Sequence, residues 1–211
     1  MSAMQRFQEK LLPAMFAGTK YATCFPIGTM DVVMNFKPQT LRDYYEKWYR
    51  PDLQGIVVVG DIDVDAVEAQ IKKLFADVPA QPNAAKREYY PVNDNKEPIV
   101  LIARDKEQPH IQAIVFNKHK ATPNSEKDKI GYLVENYATN LINNMLNARL
   151  NELLQEANPP YIYAGSYDGD FFVAKTKQAF TGIVVCKEDA VESGIATLLR
   201  EMERARRFGF T

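Results

Sequence analysis

Three aspartates at alternate positions are the residues of this sequence whose types and spacing best suit chemistry. Asp61, Asp63 and Asp65 follow the run Gly-Ile-Val-Val-Val-Gly at residues 55–60. Carboxylates at the end of a strand can hold a magnesium ion or accept a phosphoryl group. Aspartates also begin helices, because their carboxylates accept hydrogen bonds from unpaired backbone N–H groups. Two interpretations are therefore open: a magnesium-dependent phosphotransferase that uses Asp61 and Asp63, and a helix cap at Asp63, which the spacing favours.

A calcium site is excluded at the same position. An EF-hand loop that began at Asp61 would need a glycine at its sixth position and a glutamate at its twelfth. Those positions hold Ala66 and Lys72. A phosphotransferase would need a lysine and a further carboxylate near the aspartates, and Lys106 with Asp105 are candidates for these roles.

Histidines and cysteines are too few for an ordinary zinc site. His110 and His119 are nine residues apart on a predicted strand, so their side chains would point to opposite faces. The sequence has no H-x-x-E-H, H-E-x-x-H, C-x-x-C or G-x-S-x-G motif. We expect Cys24 and Cys186 to be free thiols. The chain is predicted to hold no catalytic and no metal-ligating residue, and the sequence identifies no substrate-binding residue.

The composition is that of a globular protein with no electrostatic preference for a partner. Lys and Arg number 26, Asp and Glu number 27, and the formal net charge is −1. This balance disfavours binding to nucleic acid, which requires clustered basic residues. No apolar run reaches the roughly 18 residues of a transmembrane helix, so no membrane span is expected.

Apolar periodicity predicts an alternation of helices and strands. Helices are predicted over residues 4–17, 40–50, 64–76, 126–157 and 189–208, with Thr40 and Asp43 as a capping pair for the second. Strands are predicted over residues 56–59, 98–105, 110–119, 161–167 and 171–185. The strands 98–105 and 110–119 are expected to form a hairpin.

The order of these elements predicts an α+β fold with a mainly antiparallel sheet and helices packed on one face, in two layers. Residues 80–97 lack periodicity and are predicted to be a linker. The part before it, 1–79, is helix-strand-helix, and the part after it, 98–211, is β-β-α-β-β-α. Both ends interrupt a structural unit, so we expect a fragment of a longer protein that is incomplete at both ends.

Several motifs resemble one known family. A Y-x-x-x-x-P-I-G loop at 21–28 is followed by Y-Y-x-x-W-Y-x-P-D at 44–52 and V-V-V-G-D-x-D at 57–63. The sequence A-R-L at 148–150 and Y-x-Y-A-G-S at 161–166 come later, in the same order as in that family. The chain thereby resembles the pitrilysin/insulinase-like zinc metallopeptidases, the inverzincins. One departure is Cys24, which stands where these proteins commonly have a basic residue.

The resemblance implies a role in a larger enzyme. In this family an N-terminal domain carries H-x-x-E-H and binds zinc, and a second domain of similar fold follows it. The chain would span the end of the zinc domain and most of the next one, support the active-site domain and line a chamber for peptide substrates. Zinc would be bound by the parent protein and not by this fragment, which alone would be inactive. The partners implied are the remaining domains of the parent, and bacterial relatives suggest the periplasm or cell envelope.

A second class of function, a structural one, also remains open. The parent could be a structural, catalytically inactive homologue, as subunits of assembly or processing complexes are. The residues before Met1 would separate the two hypotheses, because H-x-x-E-H is either present there or absent.

Overall fold

A computed structural model of the chain describes residues 2–26 and 28–210. Within these residues the helices are α1 Ala3–Met15, α2 Met30–Asn35, α3 Pro38–Trp48, α4 Val64–Leu74, α5 Ile130–Leu153 and α6 Val191–Phe208. The strands are β1 Ile111–Lys120, β2 Tyr161–Asp170 and β3 Lys177–Cys186. Short 3-10 turns lie at Lys20–Ala22, Pro51–Leu53 and Asn124–Glu126.

The chain divides into two units. A helical unit, residues 26–88, contains α2, α3 and α4. A sheet unit, residues 1–25 and 89–211, contains α1, α5, α6 and the three strands. The division of a longer protein into two domains at the linker 80–97 stays a prediction.

Helix α3 begins two residues before its predicted cap. Pro38 occupies the first turn and Lys37 is the N-cap residue. Thr40 therefore lies inside the helix, and its N–H donates to the Lys37 carbonyl oxygen at 2.9 Å. The predicted Thr40 cap is wrong, because the fixed φ of proline favours the first helical position.

Helix α4 begins as the aspartate spacing predicts. Asp63 is its N-cap residue, and the Asp63 carboxylate accepts a hydrogen bond from the Ala66 N–H at 3.0 Å. Asp65 lies in the first turn, where its negative charge interacts favourably with the helix dipole. The capping interpretation of this motif is confirmed.

Two apolar segments that were predicted as strands are not paired. Residues 56–59 lie in the helical unit and residues 98–105 in the sheet unit, and neither is a strand of the sheet. Val57 and Val59 are 86% and 92% exposed, and Val100 is 79% exposed. Both strand predictions are wrong for this chain, because β-structure needs a hydrogen-bonded neighbour and the described residues supply none. The sheet unit therefore has the order α-β-α-β-β-α.

The sheet is antiparallel throughout, with the strand order β1-β3-β2. Helix α5 packs mainly on β2, and α6 packs on the central strand β3. The predicted α+β class with an antiparallel sheet is confirmed, and the two longest helices, α5 and α6, share one face. The hairpin of the sheet joins β2 to β3 and not residues 98–105 to β1.

The main hydrophobic core lies between the sheet and the helices α5 and α6. Its buried members are Leu146, Leu150, Tyr161, Ala164, Val184, Cys186 and Leu198. The Tyr161 hydroxyl donates to the Leu150 carbonyl oxygen at 2.7 Å, which satisfies its polar atom inside the core. Burial raises the pKa of Tyr161 to about 12. Burial also raises the pKa of the Cys186 thiol, which makes this cysteine a poor nucleophile.

Helix α1 covers one end of the opposite sheet face. Phe16 is fully buried and contacts the rings of Phe171 and Phe172 at centroid distances of 5.1 and 5.8 Å. The same helix carries Arg6, whose guanidinium donates to both carboxylate oxygens of Asp105 at 2.6 and 2.7 Å. These contacts attach α1 to the rest of the sheet unit.

The Asp63 cap gives a first testable prediction. We expect Asp63→Ala to lower the free energy of unfolding by about 1 kcal/mol, because the Ala66 N–H loses its acceptor. The control Asp61→Ala should change it by less than about 0.5 kcal/mol, since Asp61 is exposed and lies outside the helix. Urea unfolding followed by circular dichroism measures both. Equal losses for the two variants would contradict the capping assignment.

The ion pair of α1 gives a second prediction. The Arg6 guanidinium holds the pKa of the Asp105 carboxyl well below its usual value of 3.8, and the Glu107 backbone N–H adds to this effect. Because the pKa is depressed in the folded state, the stabilisation is complete above the unfolded pKa and is lost as pH falls below it. Asp105→Asn should therefore flatten the acid limb of the stability curve below about pH 4.

The measurement is the urea midpoint between pH 6 and pH 2.5 for the parent chain, Asp105→Asn and the control Asp128→Asn. Asp128 is exposed and makes no ion pair in the described part of the chain. A control variant with the same flattening would show that the effect is general and does not come from the Arg6 pair.

Candidate functional site

The aspartate run does not assemble a carboxylate site. Asp63 is engaged as the cap of α4, and Asp61 is exposed. Asp105, a candidate partner for these aspartates, belongs to the sheet unit and is held there by Arg6. Residues 2–26 and 28–210 contain no group of three or more His, Cys, Asp or Glu side chains that could hold a metal ion. Among the described residues no observation favours the phosphotransferase hypothesis.

The residues present do not fit the zinc ion that the family resemblance implies. His119 Nε2 lies 2.9 Å from an oxygen of Asp168, but this two-residue pair has no third ligand among the described residues. The pair joins β1 and β2 across the central strand. Cys24 is exposed and Cys186 is buried in the core, so the two thiols do not share a site. That the chain holds no catalytic or metal-ligating residue stays a prediction.

One concave surface of the sheet unit lies on its open face, defined as the sheet face opposite α5 and α6. A cavity of about 190 Å³ lies there beside the aromatic cluster at the end of α1. Its lining is mainly apolar, with Asp170 and Thr181 as the polar members. The lining residues are Ile114, Phe116, Tyr167, Asp170, Phe171, Phe172, Ala179 and Thr181. A surface of this kind can hold apolar side chains.

One end of the open face is basic. Lys118 Nζ donates to the Asn93 carbonyl oxygen at 2.9 Å, and Lys177 Nζ donates to Asp94 at 2.8 Å. The hydrogen bond and the charge of Lys177 lower the pKa of Asp94. Burial lowers the pKa of Lys118, Asp94 opposes this effect, and the positive charge of Lys177 adds to it. Two ammonium groups thus lie near one carboxylate, which pairs with Lys177, and Lys120 is on the same face of β1.

Helix α5 is buried along only part of its length. Asn143, Leu146 and Leu150, in its C-terminal half, are its buried residues. The N-terminal half presents an apolar stripe to solvent at helical spacing. Its members are Ile130, Leu133, Val134, Tyr137 and Leu141. An exposed apolar stripe of this length is typical of a protein interface.

Two asparagines of α5 were missed by sequence reasoning. Asn147 accepts from the Ser166 N–H at 2.6 Å and donates to the Ser166 carbonyl oxygen at 3.0 Å. Asn143 accepts from the Ser166 hydroxyl at 2.8 Å. The signal was present, because two amides four residues apart interrupt the apolar face of a buried helix. Such polar residues are usually held by hydrogen bonds.

Across the described part of the chain, every helix is too short or too polar to span a bilayer.

Comparison with known proteins places these features in a larger context. The chain is 26% identical to the "Probable zinc protease PqqL" of Escherichia coli over 210 residues, which is 99% of this chain and 22% of that protein. It is 26% identical to the "Zinc protease PQQL-like" of Arabidopsis thaliana over 177 residues, which is 83% of this chain and 18% of that protein. The chain therefore spans about a fifth of the length of these curated relatives.

A solved structure supports the fold over the whole chain. The crystal structure of the first half of the periplasmic protease PqqL from Escherichia coli superposes with a TM-score of 0.84 at 24% identity. The match covers 100% of this chain and 44% of that one.

A family model for the peptidase M16 inactive domain matches residues 35–211. The resemblance to the pitrilysin/insulinase-like zinc metallopeptidases is confirmed by this match and by the zinc-protease relatives. Because the model takes in well over half of the chain, the protein belongs to the peptidase M16 inactive domain family.

Proposed function

We propose that this chain is a non-catalytic part of a larger zinc-dependent endopeptidase of the pitrilysin/insulinase type. The observation that carries the proposal is the match of residues 35–211 to a domain family described as inactive. Relatives named as zinc proteases are about five times longer than the aligned region, which leaves ample room for a zinc domain elsewhere. The residues described here do not fit zinc, in keeping with a metal held by another part of the parent.

The helical unit supports the active-site domain in this proposal. Residues 56–59 form a continuous apolar run, which is typical of a strand covered on both faces. Val57 and Val59 are nevertheless almost fully exposed in this chain. Burying two valine side chains stabilises a protein by about 1.5–3 kcal/mol for each side chain. Docking of this run into the catalytic sheet of the parent would provide that stabilisation.

The sheet unit contributes a wall of the peptide chamber. Its open face carries an apolar cavity beside a basic end, and the α5 stripe adds a second exposed apolar surface. Apolar pockets and nearby charges are the features with which proteins bind extended peptides. The partners in this proposal are the remaining domains of the parent and a peptide substrate. A periplasmic or cell-envelope location is proposed because the solved relative is described as a periplasmic protease.

Zinc binding and cleavage test the proposal directly. The purified 211-residue chain should bind no zinc stoichiometrically in calorimetric titration and should cleave no fluorogenic peptide. The longer natural protein should bind one zinc ion per chain and cleave the peptide, and a chelator should abolish the cleavage, because the ion activates the attacking water.

Tight one-to-one zinc binding with turnover by the 211-residue chain would contradict the non-catalytic role. A longer protein that folds but binds no zinc and cleaves nothing would overturn the endopeptidase proposal. That second result would favour the structural, catalytically inactive homologue.

Docking of residues 56–59 can be tested by one substitution in two contexts. We expect Val57→Asp to change the free energy of unfolding of this chain by less than about 0.5 kcal/mol, since the side chain is exposed. In the longer protein it should cost at least about 2 kcal/mol, because an uncompensated carboxylate would be buried. Urea unfolding measures both, with exposed Gln70→Asp on α4 as the control. A small effect in both contexts would show that the segment is not buried in the parent.

A further inference from the structure

The turn between β2 and β3 holds a phenylalanine where glycine is the usual residue. The Ala174 N–H donates to the Phe171 carbonyl oxygen at 3.1 Å, which makes residues 171–174 a β-turn. Phe172 is the second residue of this turn and has a φ of 56°. Glycine dominates such positions, because a bulky side chain at positive φ is strained. Strain of this kind is concentrated at functional sites, where the surrounding structure maintains it.

The Phe172 ring forms part of the open face. It contacts the rings of Phe16, Phe116 and Phe171 at centroid distances of 5.8, 5.4 and 5.2 Å. It is nevertheless 38% exposed, and it lines the cavity of about 190 Å³. A ring that served packing alone would gain most from full burial. An exposed ring in a strained turn points instead to the wall of a binding cavity.

The cavity has room for one apolar side chain. An apolar cavity of about 150 Å³ in a protein is large enough to bind benzene. The cavity of about 190 Å³ on the open face therefore admits a phenyl ring or a branched aliphatic side chain.

The basic end of the open face is adjacent to this cavity. Lys118 Nζ lies 5.8 Å from the centroid of the Phe171 ring, which is part of the cavity lining. Lys120 is directly opposite Lys177 in the pairing of β1 with β3, on the face that carries Lys118. A ligand in the cavity would thus have several ammonium groups on one side.

Positive charge exceeds negative charge around the cavity. The carboxylates of Asp94 and Asp170 are each paired with a lysine, at 2.8 and 3.4 Å respectively. Lys118 donates to a backbone carbonyl oxygen. Neither Lys118 nor Lys120 forms an ion pair with any residue that the structure describes. Two ammonium groups are therefore available for carboxylates of a ligand.

We propose that the cavity walled by Phe172 binds an apolar side chain of an acidic peptide segment, whose carboxylates pair with Lys118 and Lys120. The inference rests on the proposed function, because it names the class of peptide that the chamber selects. Charge complementarity decides the occupant, since a basic segment would be repelled by the lysines. The apolar side chain supplies affinity, and the charged groups fix the orientation.

Strand β1 defines the spacing of this segment. Phe116, Lys118 and Lys120 are alternate residues of one strand and point to the same face. Alternate side chains of a strand are about 7 Å apart. An extended peptide has the same spacing. A segment that lies along this face would therefore carry carboxylates two and four residues from its apolar side chain.

An NMR titration of the isotope-labelled chain with blocked peptides tests the proposal. The acidic probe is Glu-Ser-Glu-Ser-Phe-Ser-Glu-Ser-Glu, whose symmetry makes the direction of binding irrelevant. It should shift the amide signals of Phe116, Lys118 and Phe172. A probe with alanine in place of phenylalanine should bind at least about tenfold more weakly, because apolar burial is lost.

Two further probes test the charge requirement. A probe with glutamine in place of every glutamate should bind about fivefold more weakly than the acidic probe, since exposed ion pairs each contribute modestly. A probe with lysine in place of every glutamate should give no shifts at these amides. Equal affinities of the acidic, glutamine and lysine probes would overturn the proposal.

Reversal of one charge locates the carboxylate contact. Lys120→Glu leaves the core intact, because the Lys120 side chain is exposed. It should weaken binding of the acidic probe by about tenfold and strengthen binding of the lysine probe. The matched control Lys127→Glu changes the net charge equally at an exposed position of the sheet unit. Equal effects of the two variants would show that only the net charge matters and would contradict the assignment.

Removal of the strained ring tests the cavity wall. Phe172→Gly should lower the affinity for the acidic probe at least about tenfold, although glycine suits the positive φ of the turn. Unchanged affinity in a folded Phe172→Gly variant would refute the role of this ring. If the variant fails to fold, Lys120→Glu and its control decide the proposal.

Other occupants of the face give different results. Shifts confined to the α5 stripe would place the peptide elsewhere. Shifts at the cavity that depend on the concentration of the chain, without peptide, would identify a second copy as the occupant. Binding by this chain that is lost in the longer protein would identify another part of the parent. Each of these results overturns the proposal.

Failure of this inference is distinguishable from failure of the proposed function. A longer protein that cleaves peptides but does not bind the acidic probe at the cavity would reject the acidic site and keep the endopeptidase. A longer protein that binds the probe there and has no peptidase activity would keep the site and reject the endopeptidase.

Discussion

A three-stranded sheet with only one face fully covered by helices is the constraint on which the rest of this structure depends. Helices α5 and α6 bury one face through Leu150, Val184 and Leu198. The other face is closed at one end only, by Phe16 and its aromatic neighbours. So small a sheet has two edge strands and leaves much of its second face exposed. The cavity and the unpaired edge of β1 are direct consequences.

The chain exposes apolar surface in several places, and the proposed larger protein would cover all of them. Residues 56–59 have the composition of an interior strand without a neighbour, and the first half of α5 is an amphipathic helix without a partner. A monomeric protein rarely exposes such extended apolar patches. Membership of the peptidase M16 inactive domain family, with relatives far longer than this chain, gives these surfaces a common explanation. In the proposed function the chain is a supporting and enclosing element, and the chemistry belongs to other parts of the parent.

The polar groups of the chain serve structure more than reactivity. Asp63 caps a helix, Asp105 holds Arg6, and Asn147 occupies the backbone groups of Ser166. Each of these side chains resembles a functional residue when read by type alone. Each forms a hydrogen bond with a backbone group or an ion pair with an opposite charge nearby. This use of carboxylates and amides accords with a domain whose family description is inactive.

The sequence by itself determined five of the six helices in the described residues, the family and the local chemistry of the aspartate run, but not the short helix α2. Periodic apolar residues located α4, α5 and α6, and the Asp63 cap depends only on atoms three residues away, so local rules were sufficient. Only the tertiary structure decided which apolar runs become strands. Residues 98–105 and 111–120 both contain apolar runs. Residues 111–120 pair with β3 and residues 98–105 do not, because pairing depends on a neighbour distant in sequence. The contact between Asn147 and Ser166 was decided in the same way, since Ser166 is brought opposite the helix only when α5 packs on β2.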